Sequence, residues 1–138
     1  MSTSKKITLT LICLLSIILG TGYFLGLAYF QTHFKIGKEI NGFNCSFKSI
    51  DDADALLSRE VQSYAMAVNT RNGGVEKISA DDVGMKFAGK DELIDMVNHQ
   101  NYNLWFLPEN TNVTLPVGCY QIDETKMDEA FISLKCMN

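Results

Sequence analysis

The sequence predicts an α+β protein: one small domain of mixed helices and an antiparallel hairpin, placed behind an N-terminal transmembrane helix. Three observations predict it. Residues 7–30 are a run of 24 positions without a charge, a capped amphipathic pattern opens at Ser49, and two β-rich segments flank Arg71-Asn72-Gly73-Gly74. Helices interleaved with hairpin-linked strands argue for α+β and against a doubly wound parallel sheet.

The apolar run comes first. A helix rises about 1.5 Å per residue, so residues 7–30 can cross a hydrocarbon core about 30 Å thick. Lys5 and Lys6 precede it directly. A signal peptide would have a shorter apolar region, roughly 7–15 residues, and small residues where it is cut. Gly20-Thr21-Gly22 offers such a place, but the run continues to Leu27, Tyr29 and Phe30, which favours an uncleaved signal-anchor. Tyr23, Tyr29 and Phe30 lie toward one end, where amphipathic rings prefer the membrane interface. Lys5, Lys6 and the N-terminal amine orient the chain with residues 1–6 as a cytoplasmic tail, and Lys35 and Lys38 weaken that asymmetry. The expectation is a single-pass cell-membrane protein, in contact with the lipid bilayer through residues 7–30. Residues 31–138 would form one extracytoplasmic domain, large enough for one small core.

Charge separates along the same boundary. All 16 acidic residues follow Phe30, against ten of the 12 basic ones, so the domain carries a net charge of −6. It lacks the basic stripe that phosphate backbones require, so nucleic acid is not expected as a partner. Solubility alone accounts for the acidity. Cys13 falls within the apolar run and reads as a small buried residue. Cys45, Cys119 and Cys136 lie beyond it; one disulfide with a spare thiol fits, and spacing does not choose the pair. With two histidines and no C-x-x-C, no zinc site is expected.

Along the domain, Ile36 to Phe43 reads as an extended entry. Ser49-Ile50-Asp51-Asp52 opens a helix with a capping box and acidic residues at the positive end of the helix dipole. Ile50, Ala53, Leu56, Leu57, Val61 and Tyr64 give it one buried stripe. YAMAVNT and VEKIS read as a hairpin, with Asn72-Gly73 supplying the positive φ values of a tight turn. Val83, Met85 and Phe87 alternate as on a strand, and Gly89 ends it. Asp91 to Gln100 reads as a helix burying Leu93, Ile94 and Val97. Val113 to Cys119 suggests a strand, and Asp123 to Leu134 a helix with Met127, Ala130, Phe131 and Leu134 inward. The chain stops four residues later, which points to a domain truncated at its C-terminus.

These elements resemble a known family. Ile40-Asn41-Gly42 with Asn44-Cys45-Ser46 matches its "ING-x-(D/N)-x-S" entry, and Ser49 to Ala53 its first helix. Ile78-Ser79-Ala80-Asp81-Asp82-Val83-Gly84 with Phe87 matches its segment after the hairpin, and Gln100-Asn101 with Trp105 its "Q-N-x-x-x-W" element. The chain is similar over most of residues 36–136 to the peptidoglycan-binding domain that follows the membrane anchor of many Gram-positive proteins. Such domains commonly precede an L,D-transpeptidase catalytic domain or accompany a VanW-type domain. The transpeptidase signature, Ser-His-Gly-Cys-x-Arg, is not here; Gly118-Cys119 is the only Gly-Cys pair. The resemblance therefore implies the non-catalytic module alone.

The residues support the same expectation. Cys119 with His99 would make a nucleophile and base only if folding brought them together. Asp51-Asp52, Asp81-Asp82, Glu92/Asp95 and Glu124/Asp128 could serve a glycosidase, but three of the pairs start helices, where capping explains them. No calcium-loop pattern is present. His33 reads as a solvated residue beside the membrane. Asn44 and Asn112 head N-x-S/T triplets, which matter only in a eukaryotic secretory pathway. Tyr102, Trp105 and Phe106, with Asn101 and Asn103, are the candidate ligand contacts: rings for sugar faces, amides for hydroxyls and stem peptides. Core packing is the competing role for these rings. The expected function is a cell-wall-facing, membrane-anchored module, not an enzyme and without cofactor or metal, that binds peptidoglycan or positions other cell-envelope proteins. The alternatives are the N-terminal part of an L,D-transpeptidase that has lost its catalytic domain, and an envelope protein–protein interaction module that binds no glycan.

Overall fold

The computed structural model describes residues 2–134. In chain order the elements are α1 (Thr3–Phe30), β1 (Lys38–Ile40), β2 (Phe43–Asn44), α2 (Ile50–Gln62), β3 (Ala65–Asn69) and β4 (Val75–Ser79). They continue with β5 (Lys86–Phe87), α3 (Lys90–His99), β6 (Thr111–Val113), β7 (Tyr120–Gln121) and α4 (Glu124–Ser133). Short 3-10 turns occupy Tyr102–Leu104 and Val117–Cys119. The mixed α+β class expected from the sequence is what the chain adopts.

α1 is 28 residues long, and Phe30 is its one buried residue. Its most apolar stretch has a mean hydropathy of 2.2 with only 6% of the window buried, so this is not the core helix of a soluble fold. The hydroxyls of Thr8, Thr10 and Ser16 donate back to the carbonyls of Ser4, Lys6 and Ile12, which removes them from competition for outside partners. By length and composition the helix can cross a membrane.

The tight hairpin of this fold lies at Asn41-Gly42. Both residues have positive φ, 52° and 80°, and join β1 to β2 with Ile40 opposite Phe43, as a two-residue type I′ turn requires. On its other edge β1 pairs in parallel with β6. The β3–β4 hairpin forms in the expected place, from Ala65 opposite Ser79 to Asn69 opposite Val75. Its loop differs from the expectation: it spans residues 70–74, and only Gly73 has a positive φ, 77°. Thr70 closes it, its hydroxyl donating to the Gly74 carbonyl and accepting from the Gly74 amide.

α2 starts as read. Ser49 Oγ accepts the Asp52 amide at 3.1 Å, and Ala53, Leu57 and Val61 are buried. Tyr64 departs from the stripe: it lies beyond the helix end and is 58% exposed. Val83 is not on a strand. Asp82 Oδ2 accepts from both the amide and the hydroxyl of Ser79, and Gly84 has φ 59°, so Asp81–Gly84 turns and the strand shrinks to β5. Val113–Cys119 likewise breaks after β6, because Pro116 has no amide to extend the ladder; the chain makes a 3-10 turn and resumes as β7 against β5. In α3, Leu93 and Val97 are buried while Ile94 sits at the exposed edge. Asp123 caps α4 by accepting the Thr125 and Lys126 amides. Of its expected inward residues Leu134 is buried and Phe131 remains exposed.

One core unites these parts: Phe34, Ile40, Cys45, Ala53, Leu57, Leu93, Val97, Leu115 and Cys119. Cys45 and Cys119 are free buried thiols, and Cys136 lies outside the described residues. Asn41 ties the tight hairpin to the segment after β6. It donates from Nδ2 to the Tyr120 hydroxyl at 2.5 Å and accepts the Leu115 amide at 2.9 Å. Lys38, buried, donates from Nζ to Glu109 Oε1 at 3.1 Å and to Thr111 Oγ1 at 3.3 Å.

Candidate functional site

The five residues singled out as ligand contacts lie on the turn after α3, and that turn rests against α1. Trp105 is half-buried there. Its Nε1 donates to the Tyr23 carbonyl at 3.2 Å, and its indole stacks on Phe30 with ring centres 5.6 Å apart and planes 15° from parallel. Phe106 meets Trp105 edge-on, with ring centres 5.8 Å apart. The Tyr23 hydroxyl donates to the Asn103 carbonyl at 3.1 Å. A Cβ at Gly26 would fall on the indole ring of Trp105, so only glycine lets the tryptophan lie this close to the helix. The side chains of Asn101 and Asn103 stay exposed and Tyr102 is half-buried.

Gln100, immediately before this turn, completes the joint. It is 8% exposed. Its Nε2 donates to the carbonyls of Phe30 and His33, both at 2.6 Å, and its Oε1 accepts the Lys35 amide at 3.2 Å. The Phe30 carbonyl is among the last four of α1, which have no acceptor role inside the helix; Gln100 supplies the partner from a distant element. The Tyr29 hydroxyl also donates to the Phe47 carbonyl at 2.9 Å, and His33 stacks on Tyr29 with ring centres 3.8 Å apart. The Gln100-Asn101…Trp105 element is thus a clasp between helix and domain. Nothing in the sequence singles out Gly26 for this contact, because Gly20 and Gly22 of the same apolar helix have no such neighbour within 4 Å.

A second feature was not read from the sequence. An open cleft of about 570 Å³ lies beside the C-terminal half of α2, bounded by Asn41, Phe43, Glu60, Tyr64, Met85 and Tyr120. Its wall is mostly apolar with a few polar tips, the composition of ligand clefts in general. Tyr64 and Glu60 come from α2 and its exit, while Asn41 and Tyr120 meet across the tight hairpin. No local pattern links them, because their nearness depends on tertiary packing.

The chemistry weighed for catalysis is dispersed. The Cβ of Cys119 lies against Gly89 at the start of α3, and His99 ends that helix, about 15 Å further along its axis. His99 instead bonds Asp95 within its own turn. Burial raises the Cys45 thiol above its ordinary pKa, against opposing pulls from Lys48 and the Ile40 backbone; burial and the Glu92 carboxylate raise that of Cys119. Neither is an activated nucleophile. Asp51 pairs with Lys90 at 2.7 Å, and hydrogen bonds from the Ser79 hydroxyl and amide hold the Asp82 carboxyl below its usual range. Among the described residues no group of three or more His, Cys, Asp or Glu is arranged to hold a metal ion.

What fold and geometry define is a class: a small α+β domain clasped to the end of a long, exposed, apolar N-terminal helix. In comparisons with known proteins, no family model, no curated protein and no solved structure matches this chain.

Proposed function

We infer that the protein is a membrane-anchored, wall-facing, non-catalytic module whose domain presents a peptidoglycan-binding cleft close above the outer bilayer surface. The clasp carries this reading. A flexible tether would have needed no Gln100, Trp105 or Gly26, whereas here the domain is fastened directly to the apolar helix. Such fastening suits a module that must act at a set height. The resemblance to peptidoglycan-binding domains supports the ligand class. Trp105 is engaged by α1, so binding falls more naturally to the cleft than to Tyr102–Phe106: the ring of Tyr64 is open to a sugar face, and Glu60 and Ser63 border it.

The test uses the full chain in nanodiscs, co-sedimented with purified insoluble peptidoglycan. Saturable retention that falls at least tenfold in Tyr64→Ala, with folding unchanged by circular dichroism, supports the reading. A folded full chain that stays in the supernatant would sink it. That result would favour positioning of envelope proteins, for which an apolar groove lined by Met66, Val83, Ile122, Met127 and Phe131 is the relevant surface.

A further inference from the structure

We propose that the turn from Tyr102 to Leu107 is a second membrane contact, immersed in the outer interface of the same bilayer that α1 spans. This rests on the reading of α1 as a membrane span. The argument is one of length. The Tyr23 hydroxyl bonds the Asn103 carbonyl, and the Tyr23 carbonyl takes the Trp105 indole N–H. The turn therefore reaches down α1 to the level of Tyr23, seven residues before the helix ends at Phe30, which is about 10 Å. Beneath it remain the 16 uncharged positions of residues 7–22, about 24 Å of helix against a hydrocarbon core about 30 Å thick. The shortfall of about 6 Å matches the depth, about 5–10 Å, to which interfacial apolar groups enter a bilayer.

The side chains at this level suit that environment. Leu104, Phe106 and Leu107 are 41%, 50% and 48% exposed, next to a tryptophan. The turn carries no charge between Gln100 and Pro108. Asn101 and Asn103 offer amides to headgroups, and Trp combined with apolar neighbours is the composition favoured where lipid meets water. Glu109, the acidic residue nearest in sequence, is turned to Lys38.

Trp105 is the protein's one tryptophan, so the full chain reports on itself. It is reconstituted in phosphatidylcholine vesicles brominated either near the headgroup end or near the middle of the acyl chains. Shallow bromines should remove more than about half of the Trp105 emission and deep ones distinctly less, as an interfacial depth requires. A reference variant, Leu15→Trp with Trp105→Phe, reads the helix itself and should be quenched most by deep bromines. If the reference is quenched and Trp105 is quenched by neither lipid, the turn stands clear of the bilayer and the proposal fails while the span stands. If neither tryptophan is quenched, α1 does not span and the proposal falls with that reading.

Discussion

Replacing Gln100 by leucine roughly keeps the volume and removes the three hydrogen bonds that the Gln100 side chain gives the clasp, leaving those of Trp105 and Tyr23 in place. The carbonyls of Phe30 and His33 each lose a donor at 2.6 Å, and the Lys35 amide loses its acceptor. A buried polar group left unpaired costs roughly 1–3 kcal/mol, and water entering at the loosened helix end recovers part of it, so the three together come to about 3 kcal/mol. Against a total stability of about 5–15 kcal/mol that is a large fraction. The expected fall in Tm exceeds about 10 °C. The assay is thermal and urea unfolding of the full chain in mild detergent, followed by the emission of Trp105, which sits in the same joint. Gln100→Glu sharpens the test. An ionised carboxylate cannot donate and would face two carbonyl oxygens, so its folded pKa lies above the unfolded value of about 4.3. The variant should be weak at neutral pH and regain stability as the pH falls toward that value, when the acid can donate one bond. A loss below about 1 kcal/mol in Gln100→Leu, or a glutamate variant equal to the parent at neutral pH, would refute the clasp.

Three further outcomes are expected. Gly26→Ala raises helix propensity by about 1 kcal/mol in an ordinary helix, yet here its methyl meets the Trp105 indole; the variant should lose stability, with a red shift of tryptophan emission. Lys38→Met leaves Glu109 without its partner and should cost about 2 kcal/mol, while adding Glu109→Leu recovers most of it, as denaturation of the two variants will show. The Cys45 and Cys119 thiols are raised by burial, so their neutral forms stabilise the fold below the ordinary thiol pKa of about 8.5, and that contribution is lost as the pH rises through the higher folded values. Iodoacetamide labelling of both should stay slow at neutral pH and accelerate once alkaline conditions or urea open the core.

The sequence was legible wherever a local rule had no competitor. Ser49 with Asp52 fixed the start of α2, Asp123 that of α4, and Leu93 and Val97 declared the inner face of α3. Asn-Gly misled at residues 72–73, because the same dipeptide occurs at 41–42 and local composition does not say which turn is tight. Val83 alternates with Met85 and Phe87 as a strand would, but the Ser79–Asp82 bonds compete for the same backbone and win. The aromatic cluster at Tyr102–Phe106 reads from sequence as ligand contact or core, and the structure divides it: Trp105 packs on α1 while Phe106 stays exposed. That position follows from contacts spanning some 80 residues, such as Trp105 with Tyr23, which no periodicity encodes. The cleft beside α2 was out of reach for the same reason.

The clasp has a mechanical consequence. Helices that cross bilayers tilt by about 20° on average, to match hydrophobic length to membrane thickness. A domain of about 100 residues is roughly 30 Å across, so one fixed to the helix end behaves as a lever. A tilt of about 20° carries its far side through roughly 10 Å. If α1 spans a bilayer as proposed, then with Gln100 and Trp105 in place a change in bilayer thickness becomes a lateral displacement of the cleft; with the clasp cut, the helix would lean and the domain would stay where it was.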